Sequence, residues 1–446
     1  MPAQNQLDDF FAYLRIPSIS ANPACAEAMT GCANFLAAKL SSIGLPASIH
    51  ATSGPPVVIA RSVVSPEKRT VLIYGHYDVQ PVDPESLWRN PPFEPVVENG
   101  FIVARGATDN KGQTFTHILG TEALLKSGAE LPVNLIYLLE GEEEIGSPHL
   151  GAFLEAHRDE LACDIIVVSD TSMVRAGFPA ITTGLRGISC LEVCVTGPKA
   201  DLHSGMFGGT VANPALELSK MVAQLHRADG SIAVPGFYDD VLPLTEIERA
   251  SWRELPYGEP ELLDATGSPK ICGEEGFTAL ERIWARPTAE INGLTSGYQG
   301  HGSKTIVPAS ASAKLSFRLV PWQSPEKIAE QVRAFFEQIC PDTVRVEVSS
   351  DHGGEPYYLA PDTPDAIAAG EALAQVFGRP PAHIREGLSI PIVMLFRKIL
   401  RRETLLIGLG LPDCNAHSPN ETFPVAHLDL GIQFHAALLG KLANVR

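Results

Sequence analysis

The 446-residue chain is short of positive charge: 34 Lys and Arg stand against 52 Asp and Glu, a formal net charge of -18. A nucleic-acid ligand demands a basic footprint to neutralise its phosphates, so that class of partner is excluded. Long apolar runs are also missing. No segment reaches the length of a bilayer span, and no membrane role is expected. The opening MPAQNQLDDFF lacks the basic and apolar regions of a secretory signal, so a cytoplasmic location is expected. The eight cysteines form no C-x-x-C pair and read as reduced thiols. Cys190 and Cys194 fall in the alternating stretch ISCLEVCV, which a strand explains better than a zinc site. There is neither an internal repeat nor a low-complexity tract.

What is present is enough chain for two or three domains, with an ordinary apolar content of 45%. Residues 7–15 and 26–44 have helical spacing, and Gly44 marks a stop. Short apolar runs follow at 57–60, 71–75, 133–139, 164–169 and 404–410. Most lack alternation, the mark of strands buried on both faces. Helical stretches at 112–127 and 150–158 separate several of them. The pattern predicts an α/β fold with a sheet covered on both faces.

The middle differs. Residues 188–197 and 312–320 alternate apolar and polar side chains, as half-buried strands of an antiparallel sheet do. Helical patterns at 213–227 and 324–338 and a strand at 343–350 complete a small α+β domain inserted into the larger one. The stretch 228–300 reads as loops with short helices. After about 357 the pattern gives a helix (363–376), strands at 391–396 and 404–409, and a final helix (426–441).

Candidate ligands cluster at strand ends: His76 and Asp78 after VLIYG, Glu140, Glu142, Glu143 and Glu144 around the end of VNLIYLL, and Asp170 after DIIVVS. In open α/β sheets these ends converge in space. Asp109 precedes a helix, and His417 follows the 404–410 strand. Taken singly, each has a plainer reading. A strand-end histidine is more often structural, an Asp in a turn often caps it, and an acidic run is usually solvated. Together, two histidines and several carboxylates suit Zn, Mn or Co, and Asp109 is placed to bridge two such ions.

The motifs GHYDVQP (75–81), RGATDNKG (105–112), LEGEEEIGS (139–147), VVSD (167–170), GLRG (184–187), DLHSG (201–205) and NAHSPNE (415–421) resemble metallopeptidase family twenty. That family includes carboxypeptidase G, aminoacylases, desuccinylases and carnosine-type dipeptidases. The similarity is greatest to the cytosolic nonspecific and carnosine-type dipeptidases. It implies a zinc-peptidase-like catalytic domain with a mixed, largely parallel sheet (1–186 and 358–446) and an inserted α+β, ferredoxin-like lid and dimerisation domain (187–357). It further implies two divalent ions, zinc first with manganese or cobalt as alternatives. His76 and Asp170 hold one ion, Glu144 and His417 the other, and Asp109 bridges them. Asp78 fixes the His76 tautomer, and Glu143 is the general base toward a metal-bridging water. The peptide after Asp109 is expected to be cis. His203 is implied to stabilise the oxyanion in trans across a homodimer. Thr305, Arg318, His352 and Ser389 match positions that hold the substrate's terminal carboxylate.

Two departures stand out: Asn110 where the dipeptidases have Asp, and Leu388 in REGLSIP where they have Gly. The carboxylate at 170 is Asp and not Glu, which accompanies substrates with a free amino terminus. A dipeptidase is therefore expected. A hydrolase of N-acyl or otherwise amidated amino acids, aminoacylase- or carboxypeptidase-like, is the alternative, and a non-catalytic binding relative a remote one.

Overall fold

The computed structural model describes residues 2–256, 258–387 and 390–445. It divides into two compact units, one of Met1–Thr183, Leu359–Ile384 and Pro391–Arg446, the other of Gly184–Tyr358 and Arg385–Ile390. Among the described residues no helix is long and apolar enough to cross a membrane.

The first unit is built on a mixed sheet. Its strands run in the order Ala47–His50, Val57–Arg61, Asn134–Glu140, Thr70–His76, Ile165–Val168, Thr404–Gly408, Ala180–Leu185. Four central neighbours are parallel: Asn134–Glu140, Thr70–His76, Ile165–Val168 and Thr404–Gly408. Their side chains are buried almost throughout, which is why their sequences are continuously apolar and do not alternate. The parallel register brings His76 opposite Glu140. Strand ends carrying candidate ligands therefore share one edge of the sheet.

Helix Lys111–Lys126 is buried on every side through its first three turns. It tolerates polar residues there because each finds a partner. Gln113 Oε1 accepts the Leu409 and Gly410 amides. His117 Nδ1 lies 2.9 Å from His435 Nδ1, and His117 Nε2 lies 2.8 Å from Ser169 Oγ. The chain of contacts continues from His435 Nε2 to the Thr121 hydroxyl and on to the Tyr137 hydroxyl, each step 2.8 Å. Burial holds His117 down at about 4, and burial with the neighbouring His117 holds His435 well below its ordinary value.

In the second unit four antiparallel strands take the order Thr288–Ser296, Ser310–Leu319, Gly187–Thr196, Arg345–Gly354. With helices Pro214–Ala223 and Pro325–Ile339 the chain runs strand–helix–strand–strand–helix–strand, the ferredoxin-like arrangement. Gly187–Thr196 alternates buried and half-exposed positions almost without a break. Leu191, Val193, Val195, Leu315 and Phe317 form the core with Leu218, Val332 and Phe336 of the helices.

Two expectations need correction. Residues 391–396 are not a strand: helix Pro391–Leu395 runs into a π-helical turn, Phe396–Leu400. Ile392, Val393, Phe396 and Leu400 are buried, a helical spacing. A short apolar run does not by itself separate a buried strand from a buried helix. The stretch 228–300 is also more than loops and helices, because it ends in the strand Thr288–Ser296. That strand lies at the sheet edge, mostly exposed and bulged between Ile291 and Gly293, so it carries no apolar alternation to read. Of the three helices described in this stretch, Glu246–Arg253, Glu259–Thr266 and Ala279–Ala285, the first and last begin with a Thr-x-x-Glu capping box.

Phe317 is fully buried and packs 5.8 Å, centroid to centroid, from Phe237. Phe317→Ala is expected to cost about 3–5 kcal/mol, whereas loss of the exposed cap in Thr245→Ala costs only about 1 kcal/mol. Denaturant unfolding of the two variants checks the contrast.

Candidate metal centre

The strand ends of the first unit bring five side chains together. His76 Nε2 lies 3.2 Å from Asp109 Oδ1 and 3.6 Å from Asp170 Oδ2. His417 Nε2 lies 2.9 Å from Asp109 Oδ2 and 3.3 Å from Glu144 Oε2. The two oxygens of Asp109 thus face different histidines, each accompanied by its own further carboxylate. Donor atoms of His76, Asp109 and Glu144 all lie within 4.8 Å of one another. Glu143 stands beside them, its Oε2 3.9 Å from His76 Nε2. His417 has the left-handed backbone angle φ 60°, and Asn415 and Asn420 of the same loop are left-handed as well.

Each of these groups is held from behind. Asp78, fully buried, lies 3.2 Å from His76 Nδ1, and its backbone oxygen is 3.1 Å away. With Nδ1–H directed there, the lone pair of Nε2 faces the carboxylates. The same Asp78 carboxylate accepts the backbone amides of Glu143 and Glu144, so one side chain sets both the histidine and the acidic turn. Gln80 donates to Glu144 Oε2 at 2.7 Å. The Asp109–Asn110 peptide is cis. The Asn110 amide donates to Asp170 Oδ1 at 2.8 Å and to the Ser169 carbonyl at 2.6 Å.

Glu421 does the same for Asp109. Its Oε1 accepts the amides of Thr108 and Asp109, and its Oε2 accepts the Gly106 amide and Arg105 Nη1. Glu421 and Arg105 are almost wholly buried. Sequence reading gave neither a role, although Glu421 closes the NAHSPNE motif. The remaining acidic residues of the EGEEE run turn elsewhere. Glu140 accepts from the Tyr74 and Ser147 hydroxyls, and Glu142 pairs with the backbone amide and Nδ1 of His149.

The electrostatics fit a cation. His76 Nε2 is buried without a hydrogen bond of good geometry. Burial opposes charge on His76, but the carboxylates of Asp109, Asp170 and Asp78 outweigh it and hold its proton affinity well above the ordinary value. Hydrogen bonds with Asp109 and Glu144 push His417 up to about 10. Burial, with Asp170, Asp109 and Glu144 nearby, pushes Glu143 up to about 8. Burial also raises Glu144 and Asp170. Carboxylates this crowded resist ionising together, and a divalent cation relieves them more fully than a proton does. Two imidazoles and three carboxylates without thiolate are a donor set for Zn, Mn or Co.

The other expected site residues belong to the second unit. His203 is exposed, with Nδ1 accepting the Gly205 amide. Its short strand pairs with Ile306–Val307, beside Thr305, whose carbonyl accepts the Ser204 amide. His352 is exposed next to Asp351 on strand Arg345–Gly354. Arg318 lies on the outward face of its strand and lines a cleft of about 570 Å³ with Arg186, His226, Arg286 and Glu290. Burial and the charge of Arg318 lower Arg186 to about 10. Four guanidiniums, of Arg186, Arg282, Arg286 and Arg318, line this cleft against two carboxylates, of Glu274 and Glu290, a balance that favours an anion there. Arg186 was missed, although it stands in the GLRG motif. Ser389 and Leu388 lie outside the described residues.

Known proteins resemble this chain in sequence and fold. The profile of Peptidase family M20/M25/M40 matches residues 72–441. Cys-Gly metallodipeptidase DUG1 of Saccharomyces cerevisiae is 34% identical, covering 96% of this chain and 93% of that protein. Beta-Ala-His dipeptidase of Homo sapiens is 34% identical over 88% of this chain and 78% of its own length. The crystal structure of the M20 family metallo-carboxypeptidase Sso-CP2 from Sulfolobus solfataricus superposes with a TM-score of 0.83 at 34% identity, covering 99% of both chains.

Because both imidazoles hold protons more tightly than usual, a metal ion must displace those protons to bind. Metal affinity of the stripped protein is expected to rise with pH, up to the value of about 10 that His417 reaches. Titration calorimetry in buffers of different ionisation enthalpy should record proton release near neutrality. Binding without proton release contradicts this account.

Proposed function

Since the chain belongs to peptidase family M20/M25/M40, we propose that its first unit is a two-metal catalytic domain that hydrolyses dipeptides with a free amino terminus. The chain is a metallopeptidase. In the proposed assignment His76 and Asp170 hold one divalent ion, Glu144 and His417 the other, and Asp109 bridges them. Zinc is the proposed metal, with manganese or cobalt as substitutes. The observation that carries this reading is the pair of Asp109 distances, one carboxylate oxygen toward each histidine.

When bound, the ion pair supplies Lewis-acid polarisation of the scissile carbonyl and makes water more acidic. Glu143 takes the proton from that water and delivers it to the departing amine. Its position beside the proposed ligands, with Oε2 3.9 Å from His76 Nε2, suits a group that must do both. Asp78 keeps Glu143 and Glu144 in register, so that base and ligand duties fall on adjacent side chains. His203 is proposed to donate to the developing oxyanion from the second unit of a partner copy in a homodimer. Thr305, Arg318, His352 and Ser389 are proposed to hold the substrate's terminal carboxylate. The excess of guanidiniums over carboxylates on the Arg318 cleft supports the assignment of Arg318. The second unit then serves as lid and dimerisation domain. Eight unpaired cysteines support a cytoplasmic setting.

Likeness to Cys-Gly and Beta-Ala-His dipeptidases supports a dipeptide substrate. The likeness to a metallo-carboxypeptidase favours a second reading, cleavage of N-acyl or longer amides at a terminal carboxylate. A panel of free dipeptides, β-alanyl-histidine and N-acyl derivatives of the same amino acids, each with a chelator control, decides between them. Chelator-sensitive turnover of free-amine substrates alone is expected, and turnover of N-acyl substrates alone replaces the first reading with the second.

Glu143→Gln is expected to keep both metals and lose roughly 10²–10⁴-fold in kcat. Mixing it with inactive His203→Ala under proven subunit exchange should restore part of the activity. Wild-type turnover by Glu143→Gln removes the base assignment, and no rescue removes the action in trans.

A further inference from the structure

We infer that Glu140 is a positioning residue: one oxygen of its carboxyl group ties the strand that carries His76 to the turn that carries Glu143 and Glu144, and so sets base and ligand against the histidine. The inference rests on the two-metal reading above, which gives those three side chains their roles. Glu140 is fully buried at the end of strand Asn134–Glu140, opposite His76 in the parallel ladder. Its Oε1 accepts two hydroxyls, Tyr74 Oη at 2.7 Å and Ser147 Oγ at 2.8 Å. Tyr74 lies two residues before His76 on strand Thr70–His76, its ring 5.2 Å from that of Phe396. Ser147 ends the acidic turn that Glu140 begins. The Glu140 side chain hydrogen-bonds neither the base nor a proposed ligand, so it acts through these two hydroxyls.

The turn needs such a tie. Inside it the amides of Ile145 and Ser147 donate to the Glu142 carbonyl, and that of Gly146 to the Glu143 carbonyl. Gly146 and Ser147 are both left-handed, at φ 88° and 49°. Ser147 carries a Cβ, and for such a residue this conformation persists where its surroundings impose it. The bond from its hydroxyl to Glu140 imposes it and closes the turn at the base, while Asp78 holds the amides of Glu143 and Glu144 further along. Glu140 Oε2, by contrast, is buried without a hydrogen-bond partner. An apolar side chain would fill the same space without that cost. What the position supplies is therefore the accepting oxygen, at the one point where the two segments of the site meet.

The test uses the full-length chain and reads deuterium uptake of the stripped protein, its zinc isotherm, and the kinetics of the zinc-loaded protein. In Ser147→Ala and in Glu140→Ala, peptides covering 141–147 should exchange faster while those of the sheet strands keep wild-type protection. One of the two zinc-binding steps, that of Glu144 and His417, should weaken by roughly tenfold or more, the other staying as in wild type. With zinc in excess, kcat should fall by roughly 10–100-fold at an almost unchanged KM. Glu140→Gln keeps the accepting oxygen and should retain most of the turnover. Because Ser147 acts through Glu140, Ser147→Ala should cost nothing further in a Glu140→Ala chain. A merely structural role would lower the melting temperature and leave kcat and both zinc steps at wild-type values. That result overturns the inference, as do equal losses from Ser147→Ala in both backgrounds or a Gln variant as impaired as the Ala one. Should Glu140→Ala not fold, Ser147→Ala decides alone. A wild-type chain that takes up no metal pair overturns the two-metal reading and the inference with it, whereas indifferent variants of a chain that does overturn the inference only.

Discussion

Both oxygens of Glu421 are engaged by donors from residues 105–109, three backbone amides and one guanidinium nitrogen. This buried carboxylate brings the loop before helix Lys111–Lys126 against the segment after strand Thr404–Gly408, two parts of the chain more than 300 residues apart. Asp109 belongs to that loop and His417 to that segment, so the contact between them depends on Glu421. Without a partner for each lone pair, a buried carboxylate would cost more than it returns. With four donors it becomes the clamp on which the bridging position rests.

The centre is a case of negative charge gathered against its own interest. Asp78, Asp109, Glu143, Glu144 and Asp170 converge on two imidazoles at the rim of a sheet whose strands are almost wholly apolar. Hydrophobic strands provide the rigidity, and their ends provide the polar groups. The fold's stability and the site's tension therefore come from different residues, which lets the second exist without undoing the first.

Much of this was legible from residues alone, for physical reasons. Strands buried on both faces announce themselves as unbroken apolar runs, so the positions of His76, Glu140 and Asp170 at their ends could be read. Alternation in 188–197 and 312–320 marked a second sheet with one covered face. What spacing did not reveal was direction. Within EGEEE, only the turn geometry shows that Glu142 leaves toward His149 while Glu143 and Glu144 stay. Glu421 was invisible because three of its four donors are backbone amides, and Arg105 because its partners, the Glu421 carboxylate and the Pro81 carbonyl, are distant in sequence. The helix that starts at 391 was lost to the uniform apolarity of 391–396, and the edge strand at 288–296 to its exposure.

The facing imidazoles of His117 and His435 have a consequence of another kind. Two Nδ1 atoms 2.9 Å apart share one hydrogen, so choosing the tautomer of one ring dictates that of the other. The choice also sets the polarity of the hydroxyls that follow, from Ser169 at one end to Tyr137 at the other. The interior thus carries a directional relay of neutral groups with room for no extra proton. Both rings hold their protons less tightly than an exposed imidazole, His117 down to about 4. The stability they contribute is therefore present above the unfolded value of about 6.5 and drains away as pH falls toward 4. Acid therefore reaches the dry centre of this protein, by turning two neighbours that cooperate into two donors that collide.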